Sequence, residues 1–119
     1  MKGTLKSRRA FQHIYEHGRR AIGAHVVVFA IADPTDIGEE TGAVGIVARR
    51  KVGHSPDRSR AKRVLRAALR ELRTRHDVRG HLVLVSRRAL IEDGSRSTEI
   101  ALELERLLEQ TGSIQGAGS

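Results

Sequence analysis

Val44 to Arg66 reads VGIVARRKVGHSPDRSRAKRVLR. It opens on a short apolar run, 43–49, rich in β-branched residues and read as a strand. Residues 50–54 (RKVGH) lead away from it. Ser55 then supplies an N-cap, and Pro56 falls at the first helical position, where its missing N–H costs nothing. Asp57 adds a negative charge that suits the positive end of the helix dipole. From there to about residue 74 the spacing is helical. Ala61, Val64, Leu65, Ala68, Leu69 and Leu72 share one face at 100° per residue. Arg58, Lys62, Arg66, Arg70 and Arg73 form a neighbouring stripe, with Arg63 close by. Such a helix packs its apolar side on a sheet and presents a row of guanidinium groups.

The charge of the chain is concentrated in the same place. Of 119 residues, 22 are Lys or Arg and 14 are Asp or Glu, a net charge of +8. Residues 49–79 carry twelve of the basic side chains and three of the acidic ones, while residues 80–119 are net acidic. A block of this kind repels itself in a compact fold unless a polyanion faces it. All but two of its cations, Lys51 and Lys62, are Arg, whose planar fork grips phosphate through two hydrogen bonds. A solvated helix that only maintains solubility would mix the two signs more evenly. Nucleic-acid binding is therefore the expected role.

Further out, residues 5–17 read as a helix, with Ser7 as its cap and Gly18 as its stop. Residues 24–32 form a buried strand, 33–42 a loop, 81–86 another strand, and the residues from Ser97 to Gly112 a last helix faced by Ile100, Leu104, Leu107 and Leu108. A further short strand fits near 19–23. The ten-residue link between the second and third apolar runs suits an antiparallel hairpin with an open loop. The expected fold is an α/β (α+β) two-layer sandwich, a small mixed sheet covered by helices in the order α-β-β-(β)-α-β-α. One domain over 1–112 is expected, with 113–119 a flexible tail. The chain has no cysteine, which removes disulfides and thiolate chemistry and fits a reducing cytoplasm. Its longest mainly apolar run, 25–32, is far short of the roughly 20 residues a membrane-spanning helix needs, so no membrane role is expected.

Val44–Gly45, the Arg50–Lys51 pair, Val52–Gly53, Arg58–Ser59–Arg60, Lys62–Arg63 and Arg66 together resemble the signature of the bacterial ribonuclease P protein family. Leu5, Lys6, Phe11, Tyr15, Gly18 and Arg19 are similar to that family's first helix. Ser59 stands where the family has Asn, and His54–Asp57 replace its usual approach to the helix. The resemblance implies a left-handed βαβ crossover through the basic helix. It also implies docking on the catalytic ribonuclease P RNA by Arg50, Lys51, Arg58, Ser59, Arg60, Lys62, Arg63 and Arg66. A cleft between the first helix and the sheet would hold the 5′ leader of precursor tRNA, lined by Phe11, Tyr15 and Phe29, with Lys6 and Arg19 at matching positions. Strand alternation puts Val47 and Arg49 on one face, which lines that cleft if Val44, Ile46 and Ala48 face the basic helix. Catalysis would belong to the RNA and its Mg²⁺ ions, so no catalytic residue and no metal ligand is expected in the protein, nor is a protein partner required.

Two alternatives stand beside this. One is a non-catalytic RNA-binding or ribosome-associated module, which shares the basic helix but needs no single-strand cleft. The other is a zinc peptidase, since His13 to His17 reads HIYEH. That pattern needs a third protein ligand and an enclosed cleft, and exposed histidines on a helix are the simpler reading. The acidic loop residues Asp33, Asp36, Glu39 and Glu40 are compatible with a weak divalent-ion site, although a solvated tip is the simpler reading.

Overall fold

The computed structural model describes residues 8–31 and 44–114. Its elements in chain order are α1 (Arg8–His17), β1 (Arg19–Ile22), β2 (Val26–Ile31), β3 (Val44–Val47), a 3₁₀ turn (Arg50–Val52), α2 (Ser55–Arg73), β4 (His81–Ser86), α3 (Arg88–Glu92) and α4 (Ser97–Thr111). The strands form one mixed sheet in the order β1-β2-β4-β3. β2 pairs antiparallel with both β1 and β4, and β3 pairs parallel with β4. The hairpin expected between β2 and β3 does not form, because β4 lies between them. The reason is burial. All six residues of β4 are buried, so this most deeply buried strand takes the centre, where both faces are covered.

Period-two alternation sorts the strand residues between two cores. Val26, Val28, Ala30, Val44, Leu82 and Leu84 pack with Leu65, Leu69 and Leu72 of α2 and Ile100, Leu104 and Leu108 of α4. On the opposite face Val83 and Val85 pack with Ala10 and Ile14 of α1, and Phe11, Tyr15, Val27, Phe29, Ile31 and Val47 lie half-buried against them. The sheet is thus mixed and helix-covered as expected, with α2 and α4 side by side on one face and α1 on part of the other.

Helix ends depart from expectation by one residue. His54, not Ser55, is the N-cap of α2; its carbonyl accepts from Arg58 N–H at 3.0 Å. Pro56 still falls in the first turn. Arg96, not Ser97, caps α4, its N–H donating to Glu99 Oε1 at 3.1 Å. α1 ends at Gly18, whose N–H donates to Ile14 O at 2.8 Å, and α4 ends at Gly112. The tail does not begin at residue 113: Ser113 and Ile114 are buried, and Ser113 O accepts from Arg79 N–H at 2.8 Å. Ser7, Leu5, Lys6 and the acidic loop Asp33–Glu40 lie outside the described residues. Among the described residues, no helix is long and apolar enough to cross a membrane.

Candidate nucleic-acid interface

The apolar face of α2 places its cations. With Ala61, Leu65, Ala68, Leu69 and Leu72 turned to the sheet, Ser59, Arg60, Arg63, Arg66 and Arg70 stand exposed, while Arg58, Lys62 and Arg73 lie half-buried at the edge. Among the described residues none of Arg58, Arg60, Lys62, Arg63 and Arg66 has an ion-pair partner. The Nε atoms of Arg58 and Arg73 are buried with no hydrogen-bond partner among the described residues. Burial pulls the Arg73 guanidinium below its usual value. A row of unpaired cations held on a rigid helix is poised for an external polyanion.

Gly53 sets the start of that row. Its φ of 152° is a conformation that side-chain-bearing residues rarely adopt, and a Cβ there would lie 2.6 Å from Asp57 Oδ2. The 3₁₀ turn just before it carries Arg50 and Lys51, both exposed, and buries Val52 in the α2 core. The chain thus passes round the β3 edge of the sheet from Arg49 to the start of α2.

The other face carries a groove of about 450 Å³. Cross-strand register explains its floor. Ile22, Val27, Val85 and Val47 stand opposite one another across four strands, and Arg20, Phe29 and Val83 fall in the next row. α1 covers the sheet beside these rows and leaves Ile22, Val27, Phe29 and Val85 to line the groove. Among the described residues its rim is Arg20, Arg49, Lys51, Arg87 and Arg88, against one carboxylate, Glu92, which Arg88 holds at 3.0 Å.

The aromatic residues adjoin this groove. Tyr15 lies edge-on to Phe29, with ring centroids 4.8 Å apart, and 6.4 Å from Phe11. The Arg49 guanidinium sits 5.9 Å above the Tyr15 ring, a cation–π contact. Phe11, Tyr15, Phe29, Val47 and Arg49 are thus brought together, while Val44 and Ile46 face α2.

Arg19 is a correction. Ala21, on the same side of β1, is buried in the α2–α4 core, so Arg19 faces that side too, with its NH1 near Gly112. Arg20 and Ile22 take the groove side instead. Sequence reasoning also passed over Val27, Val85, Arg87 and Arg88. Nothing in the sequence of β1 marked Arg20, since RRAI puts one apolar residue on each face, but a basic pair directly after an apolar strand was a signal for Arg87 and Arg88. In the HIYEH segment the rings of His13 and His17 lie 4.7 Å apart on α1. Among the described residues no third ligand joins them, since no group of three or more His, Asp or Glu is placed to hold a metal.

A small α+β domain with an unpaired guanidinium row on one side and a cation-rimmed, apolar-floored groove on the other belongs to the class of nucleic-acid-binding proteins. Comparison with known proteins narrows the class. The family model described as Ribonuclease P matches residues 1–112. The chain is 36% identical over 118 residues to the ribonuclease P protein component of Symbiobacterium thermophilum, covering 96% of this chain and 95% of the relative. It is 33% identical to that of a Nitratiruptor species, covering 92% and 94%. The solved ribonuclease P protein of Thermotoga maritima superposes with a TM-score of 0.74 at 25% identity, over 92% of this chain and 97% of the other. The chain belongs to the ribonuclease P protein family. That family acts in tRNA processing and binds RNA, with ribonuclease P RNA as the implied partner.

Proposed function

We infer that this chain is the protein subunit of ribonuclease P and that its two basic surfaces divide the work. Arg58, Ser59, Arg60, Lys62, Arg63 and Arg66, with Arg50 and Lys51, dock the catalytic RNA. The groove receives the 5′ leader of precursor tRNA, its phosphates meeting Arg20, Arg49, Arg87 and Arg88 and its bases meeting Phe29, Tyr15 and Phe11 beside Val47. Lys6 belongs to the same proposal by its place in the motif. The phosphodiester is hydrolysed by the RNA with its Mg²⁺ ions, which frees the mature tRNA 5′ end. The protein adds affinity for substrate and no reacting group. The setting is the cytoplasm, where precursor tRNA is made.

One observation carries this reading: unpaired cations on α2 and a separate aromatic, cation-rimmed groove are joined by the turn at Arg50–Val52. Folded RNA is gripped through phosphates, whereas a single strand is held by stacking and a positive trough. A generic RNA-binding module needs only the first. The test adds the protein to a bacterial catalytic ribonuclease P RNA at low Mg²⁺. Restored cleavage of precursor tRNA at the mature 5′ end is expected. Binding without stimulated cleavage overturns the reading in favour of a generic module.

A further inference from the structure

Beneath one end of the groove, the β1–β2 turn is tied down by a cluster of charges. His25 Nδ1 lies 2.7 Å from Glu103 Oε1, and Nε2 lies 2.7 Å from Asp93 Oδ2. Carboxylates at hydrogen-bond distance accept, so both ring nitrogens donate, and only the imidazolium has two N–H groups. Glu103 Oε2 also accepts from the backbone N–H of His25 at 2.8 Å and of Val26 at 3.1 Å. Glu103 is only 7% exposed, a buried carboxylate that accepts these three hydrogen bonds. The turn leaves room for it: a Cβ on Gly23 would fall 2.4 Å from Glu103 Oε2. The two carboxylates meet different ring atoms, so what they share is a proton on each nitrogen rather than one metal ion.

The same turn holds Arg87. His25 O accepts from Arg87 N–H at 2.9 Å, and Gly23 O accepts from the Arg87 guanidinium at 2.8 Å. Arg87 lines the groove, while His25 stands behind it. We propose that His25, charged and clamped between Glu103 of α4 and Asp93 of the α3–α4 link, is a positioning residue that fixes the Arg87 wall of the groove, so that losing its proton loosens the grip on single-stranded RNA. The proposal rests on the groove reading above.

The energetics agree in sign. Burial lowers the basicity of His25, but hydrogen bonds and charge from Glu103 and Asp93 outweigh it and raise the ring above the ordinary histidine value. Among the described residues Arg87 is the cation bonded to the turn, and it is exposed. A group whose native value is raised stabilises fully below its unfolded value, and that contribution fades as pH rises through the native one. The ring therefore donates to both carboxylates in mild acid and keeps only one of these two hydrogen bonds in alkali.

The test has two readouts on the intact protein. NMR follows the His25 ring through a pH titration, and fluorescence anisotropy follows binding of a short single-stranded oligouridylate at fixed salt. The ring should titrate above the ordinary value. Affinity should fall about three- to tenfold from about pH 6 to about pH 9, less than the full worth of a charged hydrogen bond because the change reaches the RNA only through the position of Arg87. His25→Gln should flatten that fall, with His13, His17, His54, His76 and His81 still present. Asp93→Asn, at a site 60% exposed and mild for folding, should move both midpoints to lower pH together. Simple destabilisation would lower affinity without moving a midpoint. A ring that titrates at or below the ordinary value overturns the proposal, as does an equal pH dependence in His25→Gln. Absence of oligouridylate binding at every pH instead overturns the groove reading and, with it, the coupling.

Discussion

Gly53 and Tyr15 show how much rests on single side chains. Gly53 joins the 3₁₀ turn to α2 with a φ of 152°, and Asp57 fills the space where a Cβ would go. Gly53→Ala should cost about 1–3 kcal/mol of stability in urea unfolding. It should also weaken RNA docking, because the start of the cation row shifts with the turn. Unaltered stability would show that the turn relaxes freely. Tyr15 is wedged between Phe11, Phe29 and Arg49. Tyr15→Ala should weaken leader-bearing precursor tRNA by about 1–3 kcal/mol more than mature tRNA, the worth of one stacked base. Equal loss for both substrates, measured by competition binding, would mean that the ring only packs α1 onto the sheet. The aromatic set Phe11, Tyr15 and Phe29 was legible in the sequence, being the only aromatics in the chain and matching a motif. The facing of Arg19 was not, since a four-residue strand alternates the same way whichever side its first residue takes. The burial of Ala21 decides it. The partnership of His25 with Glu103 was equally hidden, for the two lie 78 positions apart.

At the scale of the element, α2 combines two jobs that do not compete. Its buried face anchors it, and its exposed cations make no internal ion pair among the described residues, so they are free to serve a partner. Arg60 and Arg63 are both exposed. The double substitution Arg60→Ala with Arg63→Ala should change unfolding free energy by no more than about 0.5 kcal/mol per site. It should weaken binding to the catalytic RNA at every sequence and reduce the slope of log affinity against log salt by roughly 0.7–0.9 for each phosphate left without its cation. A salt slope equal to that of the native protein would place the docking surface elsewhere. This helix was legible almost whole. Its 100° periodicity is local, and the observed boundaries differ from expectation by one residue at the cap. Strands 44–47 and 81–86 were legible for a similar reason, as short apolar runs, although nothing within either run states its neighbour.

At the scale of the molecule, one sheet serves two surfaces. Leu84 faces the α2–α4 core and its neighbours Val83 and Val85 face α1, so β4 carries both cores on one backbone. Leu84→Ala should therefore cost about 2–5 kcal/mol. It should also lower RNA docking and single-strand binding together when measured near the unfolding midpoint. Loss of one function with the other intact would show that the two faces unfold separately. Composition and periodicity by themselves determined that this chain forms a small α+β domain with one cationic helix, because helix and strand propensity, apolar spacing and net charge act over a few residues. Only the tertiary structure decided that β4 separates β2 from β3, that Arg20 and not Arg19 meets the groove, and that His25 sits between two carboxylates. Strand pairing uses backbone groups that every residue carries, so which strands meet is settled by how the whole chain buries its apolar surface at once.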